Sequence, residues 1–184
     1  MRFVITLLTK IMKKIGIVLF VIVGVALIGS NLPYYYSNEK AATYVTSHVA
    51  GSSRSMCAWY VVKAMWRGGC PIGLIPAYAY DKTLPQMGFK EVPLNDYQPK
   101  VGDISVLPKN EKSHFGHIAI YNGKQWVSDF RQKSIYPSSA YRKNGAYKIF
   151  RATNGWHWKH VWTSPIDWYS WIESLVKGYK KIRF

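Results

Sequence analysis

Two periods of apolar and polar positions run through this chain, and the change from one to the other divides it. After residue 56, Ala58, Val61, Val62 and Met65 recur at i, i+3, i+4 and i+7, on one stripe of an amphipathic helix. Ser53 and Ser55 stand ahead of the stripe as expected N-caps, and Gly68 with Gly69 is expected to end the helix. Further along, HIAIY from His117 and QWVSDF from Gln125 are strand-like runs flanking Asn122-Gly123, a strong turn signal, so the spacing predicts a β-hairpin. Between helix and hairpin, Pro71 to Pro99 is rich in proline, glycine and aromatic residues and reads as loops with one short helix near Tyr78 to Gly88. Substrate specificity is expected to reside in those loops.

The two ends follow other patterns. Ile15 to Gly29 is an uncharged apolar run preceded by Arg2, Lys10, Lys13 and Lys14, with no acidic residue among the first thirty. Basic residues before an apolar run hold that side in the cytoplasm and send the following domain outward. At 15 residues the run is short for a spanning helix, which needs about 20. Residues 1–30 are therefore expected to be a signal-anchor or signal peptide, inner-membrane anchored and facing the periplasm or wall, or released after cleavage. Residues 31–49 read as a linker, in which Tyr34-Tyr35-Tyr36 suits a membrane surface, and 50–155 as the core. Residues 156–184 hold five of the eight tryptophans together with Lys177, Lys180, Lys181 and Arg183. There Ser164 and Pro165 announce a helix whose stripe is Trp168, Trp171, Ile172, Leu175 and Tyr179, suited to packing on the domain or to contact with a membrane interface or glycan.

Length and composition fit one compact domain, since 184 residues less the N-terminal segment suffice for a single core and no repeat is visible. The 25 basic and 9 acidic residues give a net charge of +16, and removing the first thirty residues takes away four basic side chains and no acidic one, leaving +12. Such a surface is drawn to polyanions. An exported domain meets anionic envelope polymers and lipid first, and the chain carries no nucleic-acid-binding signature, so no nucleic-acid partner is expected.

The candidate chemistry lies at Cys57, His117 and Asp129. A thiol attacks a carbonyl as thiolate, and the first turn of a helix offers unpaired N–H groups and the positive end of the macrodipole. Cys57 would sit there, its backbone N–H facing a developing oxyanion. A histidine on one strand and a carboxylate on the next complete what a thiol hydrolase needs. Register decides which residue faces His117: a two-residue Asn122-Gly123 turn puts Ser128 opposite it, whereas a three-residue Asn122-Gly123-Lys124 loop puts Asp129 there. Asp129 is the expected third member, because a carboxylate fixes the tautomer and stabilises the imidazolium better than a hydroxyl does.

A disulfide between Cys57 and Cys70 is not expected, because a helix between them would hold the two about 20 Å apart. Cys70 reads as a small apolar filler. His157 and His160 are i, i+3 neighbours without cysteine or carboxylate partners, a weak metal signal. His48 has no assigned role, and His114 is the alternative base if the strand starts earlier.

At these residues the chain resembles the NlpC/P60 and CHAP superfamily of papain-like peptidoglycan amidases and endopeptidases, over roughly residues 50 to 151. The resemblance is carried by Cys57-Ala58-Trp59-Tyr60 opening a helix, Gly102-Asp103-Ile104 opening a strand, Gly116-His117-Ile118-Ala119-Ile120 supplying the histidine, and a polar residue about a dozen positions on. Asp129 stands at that last place, with Ser128 before it and Gln132 after it where the CHAP branch often has an asparagine. The resemblance implies an α+β fold in which a helix bearing the cysteine packs on a small antiparallel sheet bearing the histidine and Asp129. It implies a monomeric cysteine hydrolase cutting amide bonds in peptidoglycan without metal or organic cofactor. A phage lysin and a wall-remodelling enzyme are the roles expected, ahead of an interbacterial toxin. The alternatives are a papain-like protease or transpeptidase on protein substrates, and a non-catalytic cationic wall-binding module.

Overall fold

The computed structural model describes residues 12–18, which are helical, and residues 33–158. The expected helix at residues 164–179 and most of the apolar run to Gly29 lie outside the described residues. Among the described residues no helix is long and apolar enough to cross a membrane.

The domain is α+β. Strand β1 (Pro33–Tyr36) leads into helices α1 (Asn38–His48) and α2 (Cys57–Gly68), then a 3-10 turn at Ala77–Ala79 and helix α3 (Tyr80–Gln86). Strands β2 (Lys90–Glu91), β3 (Ile104–Leu107), β4 (His117–Tyr121) and β5 (Trp126–Val127) follow, then helix α4 (Ser139–Asn144) and strands β6 (Lys148–Arg151) and β7 (Gly155–Trp158). Five strands form one sheet in the order β2-β6-β3-β4-β5, with every neighbour antiparallel, and β1 pairs with β7 in a separate ribbon.

Helix α2 packs on α1 and on β4, so the helix that starts at Cys57 lies against the strand that starts at His117. Val61, Val62 and Met65 of the expected stripe are buried, together with Ile104, Ile118, Ile120 and Phe150 from the sheet. Burying apolar side chains of this size contributes roughly 1.5–3 kcal/mol each, which is what fixes helix against sheet. Gly69 ends α2 in the left-handed conformation at φ +104°, its N–H on the carbonyls of Met65 and Trp66. A Cβ at Gly69 would run into the carbonyl oxygen of Tyr35, so glycine is required there for conformation and for space.

Four expectations differ from the structure. The N-cap of α2 is Met56 rather than Ser53 or Ser55, and no side chain of its own caps it. Residues 33–48, read as linker, supply a strand and a helix whose Tyr34, Tyr36, Ala41, Ala42 and Val45 join the core. Tyr34 and Tyr36 are thus buried, and of the three tyrosines Tyr35 alone is exposed. Trp156 to Trp158, assigned to a C-terminal helix, belong to β7. Finally, the hairpin has neither register considered: Tyr121 pairs with Trp126 and Ile120 with Val127 across a four-residue loop, Asn122 to Gln125. The Asn122 side chain shapes that loop by accepting from the backbone N–H groups of Lys124 (3.0 Å) and Gln125 (2.9 Å).

Candidate active site

Cys57 is the first residue of α2 and keeps partial exposure, while His117 opens β4 and is 6% exposed. The backbone N–H of Ile118, directly after His117, faces the Cys57 thiol and favours its thiolate, so the head of α2 lies against the start of β4. Burial outweighs that help and, with a smaller contribution from the Asp129 charge, pushes the thiol up to about 11. Burial likewise pushes His117 down to about 4, against the pull of Asp129. Burial thus opposes charge on both groups, against the helix position that favours a thiolate at Cys57.

The strand after the hairpin loop is shorter than QWVSDF suggests. Past Val127 the chain turns back tightly, with Ser128 N–H on the Phe130 carbonyl (3.0 Å), a bridge between Val127 and Arg131, and Gln132 N–H on the Trp126 carbonyl (2.9 Å). This second reversal returns Gln132 to the edge of β5 and sends its side chain to His117, where its amide nitrogen lies 2.7 Å from Nε2. Gln132 is 2% exposed and its Oε1 has no partner. Its Nε2 also lies 3.2 Å from the Ser128 hydroxyl, which donates to Asp129 Oδ1 at 3.0 Å.

Asp129 is fully buried but does not hydrogen-bond His117. Its Oδ2 accepts from the backbone N–H of Arg54 (2.5 Å), the backbone N–H of Met56 (3.3 Å) and the Ser53 hydroxyl (3.3 Å). It therefore holds the loop that runs into Cys57 and supplies the cap that α2 lacks in its own sequence. The side chain in contact with His117 is that of Gln132, and Asp129 acts on His117 through its charge. The structure thus sets Cys57 against the strand that His117 opens and puts Asp129 on the loop that leads into Cys57.

Other groups close the site. Tyr141 of α4 is buried with its ring 5.9 Å from that of His117, a neighbour no local pattern announces. Gly116, at φ +69°, sets His117 into β4 where a Cβ would lie 2.5 Å from the Leu107 carbonyl oxygen and 2.9 Å from Tyr78 Cβ. His114 is exposed in the turn before β4, His48 stacks on Tyr44 at 3.9 Å, and His157 is buried with its Nε2 2.7 Å from the Thr153 carbonyl oxygen. No group of three or more histidine, cysteine, aspartate or glutamate side chains suited to a metal occurs among the described residues, and no disulfide joins Cys57 to Cys70.

A second buried carboxylate, Asp103 of the Gly102-Asp103-Ile104 segment, takes Arg151 in a two-pronged pair, Nε to Oδ1 at 2.6 Å and Nη2 to Oδ2 at 2.7 Å. Tyr97 and the Lys100 N–H also donate to its Oδ2, at 2.7 and 2.8 Å. That cluster fastens the 97–100 loop to β6.

No protein-family model and no curated protein matches the chain. Among solved structures, a chain in the type VI native effector-immunity complex Tae3-Tai3 from Ralstonia pickettii is 35% identical, with a TM-score of 0.58; the match covers 64% of this protein and 100% of that chain. The selenomethionine form of the same complex gives 37% identity and a TM-score of 0.56 over 60% of this protein and 97% of that chain. At that identity across the whole of the matched chain, this protein belongs to the family of type VI effectors represented by Tae3.

Proposed function

We propose that the protein is a cysteine hydrolase that cleaves amide bonds in bacterial cell-wall peptidoglycan, with Cys57 as nucleophile, His117 as general base and Gln132 orienting His117. The observation that carries this reading is the placing of the Cys57 thiol against the Ile118 N–H, one residue from a buried His117 whose Nε2 lies 2.7 Å from the Gln132 amide. With Nε2 of His117 engaged by Gln132, Nδ1 is the ring nitrogen left for Cys57. Catalysis calls for a neutral imidazole whose Nδ1 is unprotonated, and so for a proton on Nε2. A half-turn of the Gln132 amide meets that need: Oε1 then accepts from Nε2–H, and the buried oxygen left without a partner acquires one.

In this scheme the thiol proton passes to His117 Nδ1 as Sγ bonds to the substrate carbonyl carbon, since burial opposes charge on both partners before substrate binds. The oxyanion faces the Cys57 backbone N–H at the head of α2, and the buried Asp129 charge stabilises the imidazolium that forms. His117 returns its proton to the leaving amine, and water, deprotonated by His117, cleaves the thioester.

The likeness to an effector in an effector-immunity complex raises the interbacterial toxin above the phage lysin and remodelling enzyme favoured on sequence, and makes a cognate immunity protein the expected partner. The place of action is the wall side of the membrane. Digestion of purified peptidoglycan, with fragments assigned by mass spectrometry, tests the proposal: the parent releases cleaved stem peptides and Cys57→Ala releases none, whereas Cys70→Ala digests normally. Undiminished release by Cys57→Ala would remove the nucleophile, and cleavage of protein substrates in place of wall would favour the papain-like protease.

A further inference from the structure

The β1–β7 ribbon has two unlike faces. Tyr34, Tyr36 and His157 point inward, with Tyr34 O–H donating to the Met87 carbonyl and the His157 ring stacked on those of Tyr34 and Phe89 at 5.5 and 6.4 Å. On the outward face, Tyr35, Trp156 and Trp158 are 53%, 71% and 60% exposed, and Tyr35 meets Trp156 edge-on at 5.8 Å. A two-stranded ribbon with one face in the core is satisfied by polar residues on the other. Three large aromatic side chains gathered there mark a surface that meets something apolar on one side and wet on the other.

The register says what lies next to it. Pro33 pairs with Trp158, so the segment ahead of β1 and the segment after β7 both leave from the same end of the ribbon. Gly29, the last residue of the apolar run, is four Cα steps from Pro33, at most about 14 Å. Within residues 12–18, Ile15, Ile17 and Val18 are 54%, 64% and 56% exposed, so this part of the run finds no cover on the domain. An apolar run behind Lys13 and Lys14, uncovered over its described residues 15–18, suits a bilayer, and with the run in hydrocarbon Pro33 and Trp158 fall at or near headgroup depth. Tryptophan and tyrosine favour that layer, and the net charge of +16 favours anionic lipid beneath it.

We propose that the outward face of the β1–β7 ribbon, built from Tyr35, Trp156 and Trp158, docks the domain on the surface of an anionic phospholipid bilayer. None of these three residues touches Cys57, His117 or Gln132, so docking and hydrolysis are separable. The test uses the full chain reconstituted into phosphatidylcholine/phosphatidylglycerol vesicles whose acyl chains are brominated near the headgroup. Tryptophan fluorescence of the parent should be quenched, and Trp156→Phe/Trp158→Phe, which keeps apolar volume on the ribbon, should lose a clear share of that quenching while digesting soluble wall fragments at the parental rate. Equal quenching of parent and variant would overturn the proposal. So would protection of Trp156 and Trp158 from aqueous iodide before lipid is added, which would mean that residues 159–184 cover the face, or a fluorescence response to soluble glycan fragments and not to vesicles, which would make it a sugar platform.

Discussion

Among the described residues two carboxylates are fully buried, Asp103 and Asp129, and they are held in opposite ways. Asp103 is neutralised by the Arg151 guanidinium and backed by Tyr97 and the Lys100 N–H. Asp129 receives only N–H and O–H groups, from Ser53, Arg54, Met56 and Ser128, with no arginine or lysine side chain among them. A buried carboxylate without a counter-ion costs several kcal/mol more to keep than one with it, unless hydrogen bonds to the charge offset the loss. The costlier arrangement stands beside Cys57 and His117. Its charge acts on His117, and among the described residues no basic side chain pairs with it, whereas the Asp103 charge is paired with Arg151.

Removing the charge at each position separates the two roles. Asp103→Asn should lower stability by about 3 kcal/mol, toward the smaller end for a broken buried pair because Arg151 keeps 28% side-chain exposure, and leave the turnover of folded protein nearly unchanged. Denaturant midpoints together with initial rates check this, and a large loss of turnover without loss of stability would merge the two sites into one.

Acid should act on the Asp129 side through His117. Its ordinary value of 6.5 applies to the unfolded chain and about 4 to the folded one, so between these values the unfolded state holds the extra proton. Stability is then complete above pH 6.5 and falls as pH drops toward 4, by about 2 kcal/mol at pH 5. Urea unfolding of the parent and of His117→Gln at pH 7 and pH 5 isolates this contribution, since the variant should lack that part of the slope; equal slopes would contradict a buried neutral imidazole.

Asp129→Asn leaves an amide facing N–H donors and should shift the loop that carries Cys57. A shift of about 1 Å at a nucleophile costs about 10²-fold in turnover, and the loss should appear in kcat more than in KM. Ser128→Ala removes a donor to Asp129 and a neighbour of Gln132, about 1.4 kcal/mol or tenfold in kcat, whereas the strand pattern gave Ser128 no role beyond an alternative register. An Asp129→Asn enzyme with parental kcat would show that Gln132 and His117 need no carboxylate behind them.

The parts of the site that sequence makes plain are local. Cys57 and the stripe of α2 lie within one helix, and His117 lies in a strand whose apolar pattern and preceding glycine are contiguous with it. What stays hidden depends on contacts between distant residues. Asp129 meets Met56 across 73 positions, a cap supplied from outside the helix, so a search of Ser53 and Ser55 for the N-cap finds the wrong side chain. Gln132 reaches His117 only because the chain reverses twice, first over Asn122 to Gln125 and then at Ser128 to Phe130, whereas a period-two reading assumes a single straight strand. The β1–β7 ribbon joins residues more than a hundred positions apart, and its tyrosines read equally well as a membrane-facing linker until the pairing shows which of them face inward.

The central claim is that Cys57 takes the acyl group of a wall peptide. Rapid acid quenching during turnover of a soluble stem-peptide substrate, followed by mass spectrometry of the digested protein, reads it directly. The account predicts a thioester adduct on the peptide containing Cys57, longer lived in Gln132→Ala, where His117 activates water poorly, and absent in Cys57→Ala. An adduct on Cys70, or continued hydrolysis by Cys57→Ala with no adduct on any residue, would contradict it.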